Sequence, residues 1–266
     1  MTDSAHFWRL VWTVLRRPHQ RRELDVVSHE YTEGWRSYLK QVRSARSLEE
    51  WLRIPGVEDQ PGCYNVDGKF AYCTFDSLSY YRKVLLDALR RHFPQAQSVT
   101  EYGAGIGRNL LYLKREMPTL EVSGYELCQP GVEIGQEAAA KFGIEATYAR
   151  LDYLRDPPER YTLPRADVAF TMFSLEQIPR GADIALRNIL SRAHLGSIHI
   201  EPVPENYPLS PRGLLGRIEH WKVDYLSGFD RAARSQQLGD VIVEHVPSSH
   251  NPLMFPSLYV LKKRLR

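Results

Sequence analysis

Three alternating glycines give this chain its sharpest chemical signal, in Val99-Thr100-Glu101-Tyr102-Gly103-Ala104-Gly105-Ile106-Gly107-Arg108-Asn109. Glycine lacks a Cβ, so it admits positive φ and lets a ligand approach the backbone closely. A helix that begins just after such a loop has free N–H groups and partial positive charge at its start, which suits a ligand carboxylate. The spacing is GxGxG, whereas the dinucleotide fingerprint is GxGxxG. Two acids follow at regular intervals. Glu126 ends Val122-Ser123-Gly124-Tyr125-Glu126-Leu127, and Asp152 stands in Ala149-Arg150-Leu151-Asp152-Tyr153. A carboxylate at the end of the second strand of such a unit accepts hydrogen bonds from both hydroxyls of a ribose. One after the next strand is placed to receive an adenine amino group.

The elements that must hold these residues are legible around them. Ser98–Tyr102 reads as a strand, Arg108–Met117 as a helix and Leu120–Glu126 as a strand. Pro130–Phe142 reads as a helix closed by Gly143, and Ile144–Tyr148 as a strand. Ala166–Phe173 is strand-like, Ala182–Ala193 helical and Ser197–Glu201 a further strand. This alternation predicts a parallel sheet covered by helices on both faces. Gly239–Val246 and Ser257–Lys263 also read as strands, and the short proline-containing link between them (Pro247, Pro252, Pro256) leaves no room for a crossover helix. The last two strands should therefore pair antiparallel. The fold class predicted is α/β: a Rossmann-like, seven-stranded, mostly parallel sheet with a final antiparallel strand, preceded by a helical N-terminal extension.

That extension, residues 1–95, reads as helices and loops: a capped helix at Ser47–Leu52, a proline- and glycine-punctuated loop from Pro55 to Gly68, and an amphipathic helix from Ser79 to Phe93. Residues 96–266 form the second unit, and residues 1–95, as a lid, together with an insertion near 203–235 are expected to cover the site.

Residues 98–201 resemble the core of class I S-adenosylmethionine-dependent methyltransferases. The glycine segment is similar to their first motif, with Glu101 as its acidic residue; Glu126 matches the ribose-binding acid and Asp152 the adenine-contacting position. The resemblance implies S-adenosyl-L-methionine as cofactor, held by Glu101, Tyr102, Gly103, Ala104, Gly105, Gly107, Asn109, Glu126, Leu127, Asp152, Tyr153, Phe173 and Ser174, with no metal. Asp167–Pro179 resembles the family's fourth-strand segment, but Gln177 replaces the histidine of the small-molecule members' Leu-Glu-His-Ile-Pro, so no base carries over there.

A sulfonium already activates the methyl group, so the protein's larger task is to align an acceptor and exclude water. The reactive end of an open parallel sheet lies beyond the carboxyl ends of its strands. This points to Ser174 and Glu176, to Glu201 before Pro202, and to the loop from Pro247 to Asn251. Glu201 and His220 are the candidate catalytic residues; His220 lies in the covering insertion with Glu219, Trp221, Asp224 and Tyr225 around it. His199, inside a strand, reads as a satisfied core histidine. His250 and Asn251 are further candidates.

Composition narrows the alternatives. In 266 residues, 43% hydrophobic and 25% charged is ordinary globular composition, and a net charge of +3 does not argue for nucleic acid. Cys63, Cys73 and Cys128 have no zinc-ligand spacing and read as free thiols in the cytoplasm. No apolar run is long enough to span a membrane. Phe7, Trp8, Val11, Trp12 and Leu15 fit one helical face, suited to packing on the domain itself or on a second copy in a homodimer, or to a membrane surface. The expected function is methyl transfer to a small-molecule acceptor, in natural-product or secondary metabolism. The alternatives are a methyltransferase-like binding protein without activity and an NAD(P)-dependent oxidoreductase.

Overall fold

The computed structural model describes residues 3–53 and 61–264. The chain opens with helices α1 (Asp3–Arg16), α2 (Leu24–Ser44) and α3 (Leu48–Leu52). A hairpin of β1 (Gly62–Val66) and β2 (Lys69–Cys73) follows, then α4 (Ser77–His92). From there strands and helices alternate through β3 (Ser98–Tyr102), α5 (Arg108–Glu116), β4 (Glu121–Glu126), α6 (Gln129–Lys141), β5 (Thr147–Arg150), β6 (Ala166–Met172), α7 (Ala182–Ser191) and β7 (Ala193–Pro202). Helices α8 (Pro211–Lys222) and α9 (Phe229–Ser235) lead to β8 (Asp240–His245) and β9 (Pro256–Lys262).

Seven strands form one sheet in the order β5-β4-β3-β6-β7-β9-β8. Strands β3 to β7 pair in parallel, and β9 runs antiparallel to both β7 and β8. The Rossmann-like α/β sheet with an antiparallel last strand is thus present, and that strand sits inside the sheet between β7 and β8. Strand order reverses between β3 and β6, which opens a crevice at their carboxyl ends. Alternation along the strands feeds a core on each face. Val99, Phe170 and Val260 pack with Leu85, Leu110 and Ile134 of α4, α5 and α6. Tyr102, Ala169 and Tyr259 pack on the other face with Leu186 and Ile189 of α7 and Phe229 of α9.

The N-terminal part differs from the sequence reading in two places. The stretch from Pro55 to Gly68, read as a loop, contains a β-hairpin from residue 62 onward; its residues 55–60 lie outside the described residues. Its turn is Asp67-Gly68, with φ of 49° and 75°, and an Asp-Gly pair at positive φ matches the twist of a two-residue hairpin. The hairpin is tied to the C-terminal loop: Asn65 and Ser249 exchange backbone hydrogen bonds, and the Gly68 N–H donates to the Pro247 carbonyl. In α1, the face that packs carries Phe7, Leu10, Val11 and Val14 against Leu215 and Leu253. Trp8 and Trp12, read as part of that face, are 65% and 59% exposed. No helix among the described residues is long and apolar enough to cross a membrane.

Candidate functional site

The crevice holds a cavity of about 300 Å3 at the carboxyl ends of β3, β4 and β6. Its floor is the loop between β3 and α5, where Gly103, Gly105 and Gly107 take φ of 77°, 54° and 79°. That region is open to glycine and strained for other residues. Each glycine also has a packing reason. A Cβ at Gly103 would collide with the Ser174 hydroxyl, one at Gly105 would lie 3.1 Å from the Trp35 indole, and one at Gly107 would strike the Tyr148 phenol.

Glu126 fixes the loop. Its carboxylate accepts from the Gly105 N–H at 2.8 Å and from the Cys128 N–H at 3.0 Å. Burial raises its pKa and these hydrogen bonds oppose the rise. Glu101 stands behind the wall, fully buried. One oxygen accepts from Asn109 Nδ2 at 2.7 Å, and Asn109 Oδ1 accepts from Arg82 Nε at 3.3 Å. The other oxygen of Glu101 is buried without a hydrogen-bond partner. Burial pushes the Glu101 carboxyl up to about 8, against the Asn109 amide and the positive charge of Arg82. A ligand bearing an ammonium and a carboxylate together fits this chain of Glu101, Asn109 and Arg82, and the amino-acid end of S-adenosyl-L-methionine is such a group.

Of the residues expected to hold the cofactor, Gly103, Ala104, Gly105, Asn109, Glu126, Leu127, Asp152, Tyr153, Phe173 and Ser174 line the cavity. Asp152 Oδ1 accepts from the Leu154 and Arg155 N–H groups and shapes the loop after β5. The Tyr153 and Ser174 hydroxyls meet at 3.1 Å. Three residues of the expected set stand outside the wall. Glu101 acts through Asn109, Tyr102 packs on the opposite face against Tyr125 and Tyr153, and Gly107 caps α5. The roof comes from the N-terminal extension: Leu24, Val27, Tyr31, Trp35 and Tyr38 of α2, with Leu78 and Arg82 of α4. The spacing of those α2 residues, steps of three and four, is the signal that marks them in the sequence.

A second cavity of about 230 Å3 adjoins the far side of the 3-10 turn Leu175–Gln177. It is lined by Glu176, by Tyr207, Glu219, His220 and Tyr225 from the insertion, and by His250 and Asn251 from the C-terminal loop. Gln177 lines the first cavity and donates from Nε2 to Glu176 Oε1 at 2.7 Å, so this pair forms a shared partition.

The two candidate catalytic residues have separate fates. Glu201 lines neither cavity as described: its carboxylate accepts the N–H groups of Ser174, Leu175 and Glu176, each at 3.1 Å. Burial raises its pKa to about 7 and those hydrogen bonds hold it down. Glu201 is thereby a clamp on the partition, since its oxygens are already committed to backbone. His220 is buried in the second cavity's wall, and its Nε2–H donates to the Leu226 carbonyl at 2.6 Å. Burial lowers its pKa to about 4, so it is neutral and a weak base. His199 is the satisfied core histidine expected, bonded to Thr171 and Ser197 hydroxyls. Tyr81, on α4, meets His250 Nδ1 at 3.2 Å.

No family model and no curated protein sequence matches the chain. Solved structures do match in fold. Magnesium protoporphyrin IX methyltransferase (ChlM) from Synechocystis PCC 6803, with bound SAH, superposes with a TM-score of 0.60 at 10% identity, covering 91% of this chain and 100% of that one. The plantazolicin methyltransferase BpumL, in complex with a monoazolic desmethylPZN analog and SAH, gives 0.51 at 12% identity, over 70% and 84%. Geranyl diphosphate C-methyltransferase from Streptomyces coelicolor A3(2), in complex with Mg2+, geranyl diphosphate and S-adenosyl-L-homocysteine, gives 0.52 at 14%, over 70% and 80%. The chain is similar to all three in fold, the α/β fold of class I methyltransferases.

Proposed function

We propose that this protein binds S-adenosyl-L-methionine in the first cavity and transfers its methyl group to a small-molecule acceptor by in-line displacement, as an enzyme of natural-product or secondary metabolism. The observation that carries this reading is the cradle itself: a three-glycine loop at the sheet's reversal point, held by a buried Glu126, with an unsatisfied Glu101 oxygen behind it. The bound cofactor supplies an activated methyl group on a sulfonium. The chain's own residues supply position. Glu126 and Asp152 face the sugar and base, Asn109 and Arg82 the amino-acid end with Glu101 behind Asn109, and α2 lays Tyr31, Trp35 and Tyr38 over the top to exclude water.

In this reading residues 1–95 and the 203–235 insertion are the cover that selects the acceptor, which enters from the side of the second cavity. Glu201 is a positioning residue that sets the partition, and His220 is a wall of the acceptor cavity. The fold neighbours named for plantazolicin, geranyl diphosphate and magnesium protoporphyrin IX support a small acceptor as the class. The test is turnover of methyl-labelled S-adenosyl-L-methionine against pooled amines, alcohols and thiols, with Glu126→Gln as control. Label transfer that falls with Glu126→Gln supports the reading; reduction of a carbonyl by NADPH in its place overturns it.

A further inference from the structure

Glu176 carries a feature that methyl-donor binding does not use. Its side chain is only 9% exposed, and it lines the second cavity. One oxygen accepts from Gln177; the other, Oε2, is buried with no hydrogen-bond partner. Burial pushes the Glu176 carboxyl up to about 8, so a group that completes it in its ionised form must bring positive charge and donate a hydrogen bond. Of the protein's own cations nearby, Arg17 lines the same cavity and pairs with Glu219 at 3.4 Å, and Arg22 pairs with Glu30 at 2.8 Å; the Arg22 charge lowers the Glu176 pKa but makes no hydrogen bond to its Oε2. His220 and His250 are held neutral by burial. Around the carboxylate the cavity is aromatic: Tyr207 and Tyr225 stand edge-on to His220, at centroid distances of 6.1 and 5.6 Å. A desolvated carboxylate favours a cationic nitrogen over a neutral or anionic group.

We infer that the second cavity binds the protonated amine of the acceptor, with Glu176 Oε2 accepting its hydrogen bond and Tyr207 and Tyr225 walling its sides. The inference rests on the methyl-transfer reading, and it assigns to Glu176 the choice of small amines among acceptors. Glu176 sits beside Gln177, which faces the first cavity, so an amine anchored there lies against the partition that separates it from the methyl donor.

The test is calorimetry on the full chain, first with S-adenosyl-L-homocysteine alone and then, on the saturated protein, with phenethylamine, phenethyl alcohol and phenylacetate. Phenethylamine should bind at least about tenfold more tightly than the alcohol, and phenylacetate should not bind, as expected of a hydrogen bond to a charged group. Glu176→Gln should weaken phenethylamine by about tenfold or more and leave S-adenosyl-L-homocysteine affinity unchanged, which also shows that the variant is folded. Equal binding of amine and alcohol, preference for phenylacetate, or an unaltered amine affinity in Glu176→Gln overturns the inference. Failure of wild-type protein to bind S-adenosyl-L-homocysteine overturns the methyl-transfer reading instead.

Discussion

Two cavities share one partition, yet they are built by different means. The first is made largely from consecutive residues: a glycine loop, the two residues after Glu126, and the turn after β5. Backbone N–H groups and one carboxylate set its shape, so its chemistry is written in short motifs. The second draws Glu176 from after β6, Glu219 and His220 from α8, and His250 and Asn251 from a loop pinned by the β1–β2 hairpin. Its chemistry comes from side chains far apart in sequence. A donor common to many reactions suits the first kind of site, and an acceptor particular to one suits the second.

The largest expected effect comes from breaking what the two share. Glu201→Ala removes the acceptor of three N–H groups on the partition. Each buried unsatisfied donor costs about 1–3 kcal/mol, so a loss of roughly 3 kcal/mol or more in urea unfolding is expected, with Glu201→Gln losing less. Wild-type stability in Glu201→Ala would remove the clamp and leave the cavities independent.

Next is damage confined to the first cavity. Gly103→Ala combines a strained φ of 77° with a collision at Ser174, and should cost about 2–4 kcal/mol and abolish S-adenosyl-L-homocysteine binding. Gly143→Ala is the control, because it has positive φ in open space and should cost only about 1–2 kcal/mol with binding intact. Equal losses in the two variants would mean that strain alone, and not contact with the partition, decides.

Glu126→Gln should weaken S-adenosyl-L-homocysteine by about 1.5–3 kcal/mol in calorimetry, the usual worth of a hydrogen bond to a charged group, while phenethylamine binding stays unchanged. Equal weakening of both ligands would join the two cavities into one site.

A pH dependence cuts across both cavities. Glu101 and Glu176 are pushed up to about 8 and Glu201 to about 7, burial being the main cause for each. A carboxyl whose pKa is raised in the folded state stabilises the fold while protonated, and that stability is lost as pH rises through the folded value. The ligand-free protein should therefore melt at a lower temperature near pH 9 than near pH 6, in scans across the range from about 5 to about 9. A melting temperature that rises with pH across the range would mean these groups are ionised and satisfied without ligand.

The same contrast explains what was legible in the sequence. Strand ends at Tyr102 and Glu126, the glycine loop and both downstream acids follow local rules, so the sheet and the cavity floor could be read directly. The antiparallel ending followed from a link too short for a crossover. The pair Asp67-Gly68 carries a hairpin-turn signature, but the prolines and glycines around it read equally well as loop. That the N-terminal extension covers the site is expected from the sequence, but which of its residues do so is not: the apolar spacing of α2 says only that one face is buried, not against what. Glu201 shows the limit most clearly. A carboxylate at a strand end looks the same whether it faces substrate or three backbone N–H groups, and only the neighbouring strand's loop decides.

The central claim is that the first cavity is made for S-adenosyl-L-methionine, and thermal melting of the purified protein tests it most directly. At about 100 times its dissociation constant, a ligand that binds only the folded state adds roughly 2.7 kcal/mol, a readily measured shift. S-adenosyl-L-homocysteine should raise the melting temperature, and NAD should leave it unchanged; a rise with NAD and none with S-adenosyl-L-homocysteine would contradict the account.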